Sequence, residues 1–463
     1  MVFSDSVFLF IFLPLTLAVY YAVPFAFKNA VLFLTGLLFY AWGEPVYVLI
    51  MILSTAIDYC AGRIMHRYDD KPAVRKATLL VSVIMNLSLL GIFKYGTFFI
   101  TSVNSAFSTA IPDPALPLPI GISFFTFQSM SYTIDLYRRN IKVQKSFIDF
   151  AAFVTMFPQI VAGPIVRYED VSAQLQSRKI DFADISDGIT RFICGMCKKV
   201  LIANSVGELW SNVKELDYQT LPAATAWLGI AAFTLQIYFD FSGYSDMAIG
   251  LGKMLGFDFP ENFKYPYNSK SVSEFWRRWH ITLGDWFKSY VYFPLGGSRG
   301  TTAATVRNTL IVWLLTGLWH GASWNFIIWG LYYGVLIILE KFVLKKPLER
   351  IPSAVRHILT MLAVIIGWVI FEISSPASEL DFIKAMLGFG GFADSFTLNA
   401  LHNYTAILVI AAAVATGIPL KLCKKIPEKK ADTVSLIGEA AGMTACIACL
   451  VDSGYNPFLY FNF

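Results

Sequence analysis

Residues 304–339, ATVRNTLIVWLLTGLWHGASWNFIIWGLYYGVLIIL, hold two long apolar runs, Ala304 to Leu318 and Trp324 to Leu339, separated by Trp319-His320-Gly321. An imidazole between two segments of membrane length is expensive unless it faces a protein interior or a water-filled cavity, which makes an ionisable group there a functional candidate. Gly317 and Gly321 lie four residues apart around His320, and Ala322, Ser323 and Asn325 follow. Small residues let backbone approach a ligand, and small polar groups satisfy the peptide groups that a broken helix frees. The spacing predicts a broken helix lining a cavity, with His320 as the first candidate for catalysis. Trp313, Trp319, Trp324 and Trp329 leave a second reading open, in which His320 packs near the bilayer interface inside an aromatic belt.

The pattern of this stretch repeats along the chain. Its 463 residues are 56% hydrophobic and 15% charged, with a mean hydropathy of +0.57, and the apolar residues gather into runs too long for ordinary core helices. That composition defines an all-α polytopic membrane protein. The runs, from residues 6–24 to 435–451, allow about eleven or twelve spans at ~20 residues per crossing, with re-entrant and interfacial helices besides. The run Val7 to Phe25 lacks the basic head and cleavage site of an export signal, so it is expected to remain as a span. Loops between runs are too short to fold alone, so residues 1–463 are expected to form one membrane domain. The net charge is only +5 and no basic block suggests DNA or RNA binding, so nucleic acid is not expected as a partner.

Basic clusters at residues 63–76, 138–145, 341–356 and 421–430 read as cytoplasmic, which places the N-terminus outside and residues 253–303 inside. Residues 165–200 break the scheme. Parity puts them outside, yet they carry Arg167, Arg178, Lys179, Arg191, Lys198 and Lys199. Either the 222–252 run crosses more than once, or Ile189 to Val206 is buried or re-entrant.

A second stretch, Glu274-Phe275-Trp276-Arg277-Arg278-Trp279-His280, continues to Thr282, Asp285, Trp286 and Lys288. Read as one helix, it puts Phe275, Trp279, Thr282, Trp286 and Tyr290 on one face and most charges opposite, as on an interfacial helix. Glu274 can pair with Arg278. His280 is then either an anchor on that helix or a second imidazole aimed at the cavity of His320. Asp240 and Asp246, in Phe239-Asp240-Phe241-Ser242-Gly243-Tyr244-Ser245-Asp246, are six apart and do not share a helix face. They act together only if Ser242-Gly243 unwinds; otherwise they bond backbone and arginine at a helix break. Pro158, Gly163 and Pro164 make a continuous helix improbable around Gln159, where Gln128 and Gln159 either bind a ligand or hold a kink together. Cys194-x-x-Cys197 and Cys446-x-x-Cys449 have zinc half-site spacing, but they sit in apolar segments where thiols pack as small hydrophobes, so no metal is expected.

The sequence has no ATP-binding glycine-rich loop, no Gly-x-Ser-x-Gly nucleophile turn and no His-Glu-x-x-His motif. ATP-driven transport and covalent serine catalysis therefore have no support.

Taken together, Pro119-Ile120-Gly121-Ile122-Ser123-Phe124-Phe125, Gln159-Ile160-Val161-Ala162-Gly163-Pro164-Ile165, the Phe239-to-Asp246 stretch, Trp276-Arg277-Arg278-Trp279-His280, Trp319-His320-Gly321 and the ending Asn456-Pro457-Phe458-Leu459-Tyr460-Phe461-Asn462-Phe463 carry a family resemblance. The sequence resembles the membrane-bound O-acyltransferases, within them the branch of the alginate O-acetyltransferase membrane subunit. The resemblance implies tilted helices ringed around a central tunnel, His320 as the catalytic histidine, His280 as its companion, and acyl transfer from a thioester donor to a hydroxyl. The donor would be acyl-CoA, acetyl-CoA in the first instance, or an acyl carrier protein, with no bound cofactor. The final acceptor would be a cell-surface polysaccharide, reached through a separate extracytoplasmic acyltransferase or esterase-like partner. A related branch transfers D-alanine from a carrier protein toward teichoic acid and shares both histidine motifs. A glycan or lipid exporter is the rival of another class, since broken helices with polar groups also mark transport sites.

An imidazole that titrates near neutrality can take the hydroxyl proton and return it to the thiolate leaving group. His280, Asn325 or Ser323 would bind the oxyanion or orient the base. Arg277 and Arg278 would attract the donor's phosphates or anchor to lipid headgroups. Asp240, Asp246 and Gln159 complete the set of candidate substrate-binding residues.

Overall fold

A computed structural model describes residues 1–419, 428–452 and 458–459 of the chain. The basic cluster at 421–430 and most of the Asn456–Phe463 ending lie outside or largely outside the described residues. Among those described, regular structure is helical throughout, with no strand. Among the described residues, seven helices are long and apolar enough to cross a membrane, from Phe25–Gly43 to Asp432–Val451. Two of the remaining apolar runs are short or interrupted. Phe8–Ala22 is shorter, and residues 147–163 form a helix only over Phe147–Thr155 before Pro158 ends it.

The chain divides into two compact units. The first holds Met1–Phe192 and Ser245–Pro260. In it, the Val48–Arg67 and Pro72–Leu90 helices bury a polar cluster, where Asp58 accepts from Ser82 (2.6 Å) and Asn86 (2.9 Å) and Ser54 donates to the Asn86 side-chain oxygen (2.7 Å). Each buried polar group thereby gains a partner that lipid cannot supply. Gln128 and Gln159 both donate to the Phe153 carbonyl, at 2.9 and 2.6 Å, and so hold the kink after Thr155.

The second unit holds Ile193–Tyr244 and the described residues from Glu261 to 452. Its centre is a helical hairpin, Thr302–His320 followed by Trp324–Leu339, with Gly321, Ala322 and Ser323 as the turn. Glycines permit the close crossing. A Cβ on Gly317 would collide with the Phe326 carbonyl, and one on Gly330 with that of Trp313. The Ser353–Glu372 helix runs back along the hairpin toward its tip, since Tyr332 donates to the Ala363 carbonyl (2.8 Å) and Asn325 to that of Phe371 (2.9 Å).

Two expectations are corrected here. Residues 182–214 are helical without interruption, so Ile189 to Val206 is no re-entrant break, and the six-residue π-helical turn Lys198–Ala203 sits inside that stretch. Ala223–Met254 is one unbroken 32-residue helix, so Ser242-Gly243 does not unwind. Gly243 instead admits close approach, because a Cβ there would lie 2.8 Å from the Gly195 carbonyl oxygen.

Candidate active site

His320 is the last residue of the Thr302–His320 helix, at the hairpin tip, and only 5% of it is exposed. Gly321 leaves the helix in extended backbone, and a Cβ there would strike the Phe326 ring. The imidazole is walled by aromatic rings, with centroids 5.0 Å away at Trp329, 5.0 Å at Trp319 and 5.5 Å at Phe371. The predicted broken helix is therefore present, and His320 is enclosed by protein.

His280 belongs to the same enclosure, its ring centroid 6.5 Å from that of His320. It does not ride on a continuous interfacial helix. The helix Val272–Trp276 stops, residues 277–280 turn, and Ile281–Phe287 begins anew. His280 sits at the break in left-handed backbone (φ 45°), which re-aims its side chain inward. The face read as continuous from Phe275 to Tyr290 is thus split. Trp276 packs edge-on to Trp313, Trp329 and Tyr333 of the hairpin, while Trp279 packs on Trp368.

The break is held by a residue that periodicity does not point to. Asn262 Oδ1 lies 3.1 Å from His280 Nδ1 and accepts from the Thr282 N–H (3.3 Å) and hydroxyl (3.0 Å). The Asn262 carbonyl accepts from the Ile281 N–H at 3.0 Å. His280 is 2% exposed, and its Nε2 has no hydrogen-bond partner among the described residues. Burial pushes its imidazole down to about 3, so it is neutral at any physiological pH.

The other candidates fall into three settings. Asn325 and Ser323 stand at the hairpin tip, but Asn325 is committed to the Phe371 carbonyl and accepts from the Ser323 hydroxyl. Arg278 donates to Glu274 (3.0 Å) and to the Lys264 carbonyl (3.1 Å), which locks the turn before His280, whereas Arg277 is exposed. Asp240 forms a buried ion pair with Lys199 at 2.6 Å, both side chains 3% exposed. Asp246 belongs to the first unit and pairs with Arg191 at 2.8 Å. Gln159 also lies in the first unit.

A polar cavity of about 540 Å³ opens where the Ser353–Glu372 helix ends, one residue past Phe371. Lys214, Tyr218, Gln219, Glu372, Ser375 and Asp381 are among its walls, and Glu372 is held by Lys214 (2.7 Å) and Trp210 (3.0 Å). Among the described residues no group of three or more His, Cys, Asp or Glu is placed to hold a metal. Cys197 and Cys446 are free thiols with sulfurs 3.8 Å apart.

Comparison with known proteins bears on what this enclosure is. Residues 77–346 match the family model of the membrane-bound O-acyltransferases. A protein of Azotobacter vinelandii named "Probable alginate O-acetylase" is 37% identical over the whole of both chains. Another of that name, from Pseudomonas aeruginosa, is 41% identical over 84% of this chain and 75% of its own. A peptidoglycan O-acetyltransferase of Helicobacter pylori is 33% identical over 100% of this chain and 98% of its own. The protein is a multi-pass membrane enzyme, and the chain belongs to the membrane-bound O-acyltransferase family.

Proposed function

We propose that this acyltransferase takes an acetyl group from a cytoplasmic thioester, acetyl-CoA or an acyl carrier protein, and passes it to a hydroxyl outside the cell membrane. The route ends on a cell-surface polysaccharide and runs through an extracytoplasmic acyltransferase or esterase-like partner. The single observation that carries this reading is the enclosed pair of imidazoles at the hairpin tip, with centroids 6.5 Å apart. His320 takes the hydroxyl proton as the acyl carbon is attacked and returns it to the departing thiolate. His280 is its companion.

Sidedness follows from charge. The open ends of the hairpin carry Arg299, Arg307, Lys341, Lys345 and Lys346, and the Ser353–Glu372 helix starts near Arg350 and Arg356. By the positive-inside rule these ends are cytoplasmic, which sets the tip and the polar cavity toward the outside; the N-terminus is placed outside by counting runs back from the 63–76 cluster. On that orientation Arg277 attracts an anionic donor on the inner side. Residues 1–463 act as one membrane domain around a tunnel, with Ser323 and Asn325 shaping its tip. Asp240, Asp246 and Gln159 hold helices in place without touching substrate, as their existing partners suggest. The full-length relatives named for O-acetylation favour acetyl over D-alanyl.

The test is to incubate membranes with labelled acetyl-CoA or with a labelled D-alanyl carrier protein and follow the label to surface glycan. Acetyl label should arrive, and His320→Ala at normal abundance should reduce the rate by about 10²- to 10⁴-fold, the usual contribution of a general base. Transfer of D-alanyl label alone would replace acetyl as the cargo. Glycan movement with no acylated product would favour an exporter, and half of wild-type turnover in His320→Ala would remove His320 from the chemistry.

A further inference from the structure

We infer that Asn262 is a positioning residue that fixes the proton of His280 on Nδ1, so that Nε2 is a lone-pair acceptor facing the enclosure and serves to orient His320. The step rests on the proposed role of His320 as base and goes beyond it, because it assigns a residue and a tautomer that no sequence motif marks.

The argument is one of donors and acceptors. The Asn262 side-chain atom near His280 also receives the Thr282 backbone N–H, which can only donate. That atom is therefore the amide oxygen, and an amide oxygen cannot donate. At 3.1 Å, His280 Nδ1 must supply the hydrogen. A neutral imidazole carries one N–H, so Nε2 is left with its lone pair. Its burial keeps the ring from taking a second proton. With no charge and no N–H on that side, His280 cannot donate to an oxyanion through Nε2. This decides between the two roles that the sequence leaves to it.

An acceptor beside His320 has a use when His320 becomes positive. Once His320 has taken the hydroxyl proton, its imidazolium has two N–H groups, and one is spent on the thiolate. The other is oriented by an acceptor, as a buried carboxylate orients the histidine of a serine hydrolase. A centroid separation of 6.5 Å suits one bridging water with hydrogen bonds of about 2.8 Å to each ring. The left-handed backbone at His280 and the Ile281 bond to the Asn262 carbonyl keep the two residues in register.

Two measurements test this on the full-length protein. The first needs no activity: with five histidines in the chain, ¹⁵N-histidine NMR of the wild type, assigned by the signal lost in His280→Gln, should show Nε2 as pyridine-type and Nδ1 as pyrrole-type. The opposite pattern overturns the inference whatever the enzyme acylates. The second compares Asn262→Leu with Asn262→Asp in labelled acyl transfer. Asn262→Leu should lower kcat at least tenfold with KM within about twofold, add little to His280→Gln, and abolish the fixed tautomer. Asn262→Asp, which keeps an acceptor, should recover most of kcat. A folded Asn262→Leu protein with wild-type kcat, or an Asn262→Asp protein as poor as Asn262→Leu, refutes the positioning role. If Asn262→Leu does not fold, the wild-type spectrum still decides the tautomer.

Discussion

His280 is held in a state that solution chemistry does not favour, and acid should reveal it. Its folded imidazole titrates at about 3, whereas an unfolded histidine titrates near 6.5. The unfolded chain therefore binds the extra proton first as pH falls, and stability drains between about pH 6.5 and 3, being fully present only above that window. Of the rings packed on it, Phe241, Trp319 and His320, only His320 titrates. In detergent, the wild type should lose about 2 kcal/mol more than His280→Gln between pH 7 and pH 5. Equal acid sensitivity in thermal unfolding would contradict a neutral, enclosed His280. His320 stands out in the sequence because an imidazole between two apolar runs is costly, whereas the sequence leaves His280 open between an anchor and a second imidazole, and the backbone break at 277–280 is what places it beside His320. Asn262 does not stand out, because it meets His280 from 18 residues away, across turns and the short helix Val272–Trp276. No period links them, and an asparagine between Glu261 and Phe263 looks like any loop residue.

At the scale of helices, periodicity marked the hairpin and its break, since glycines and small polar residues cluster at the tip. It failed at residues 277–280, where apolar spacing continues in register across a turn, so that only the backbone shows two helices. The arginine expected for the Asp240 and Asp246 stretch is present at Asp246, as Arg191, but Asp240 pairs with Lys199; these partners lie 55 and 41 residues away, and no period marks either. The Lys199–Asp240 pair ties the π-helical turn Lys198–Ala203 to the Ala223–Met254 helix, next to the Phe241 ring that packs 4.7 Å from His280. Removing one partner strands a buried charge, a loss of about 3–5 kcal/mol, while replacing both with apolar residues is nearly neutral. Lys199→Met and Asp240→Leu should each lower the yield of folded protein, and the double variant should recover most of it. A double variant worse than either single one would mean that apolar packing cannot replace the pair.

For the whole molecule, composition sufficed to read a polytopic helical membrane protein, because the bilayer leaves few alternatives. The division of the chain into two compact units was not legible, since it is made by packing and not by linkers. A surface polymer is too bulky for an enclosure walled by Trp319, Trp329 and Phe371. On the proposed handover, expressing the chain alone and then with a candidate extracytoplasmic partner should give acylated surface polymer only in the second case. Full polymer acylation by the chain alone would refute the handover. The hairpin has an electrical corollary as well. On the proposed reading, basic side chains at its open ends hold the donor's phosphates, and only the uncharged thioester end of the donor reaches His320. A unit charge would gain or lose about 2.3 kcal/mol per 100 mV of membrane potential, but a neutral group does no work against the field. Acylation by vesicles should therefore proceed at the same rate whether the potential is clamped at zero, normal or reversed.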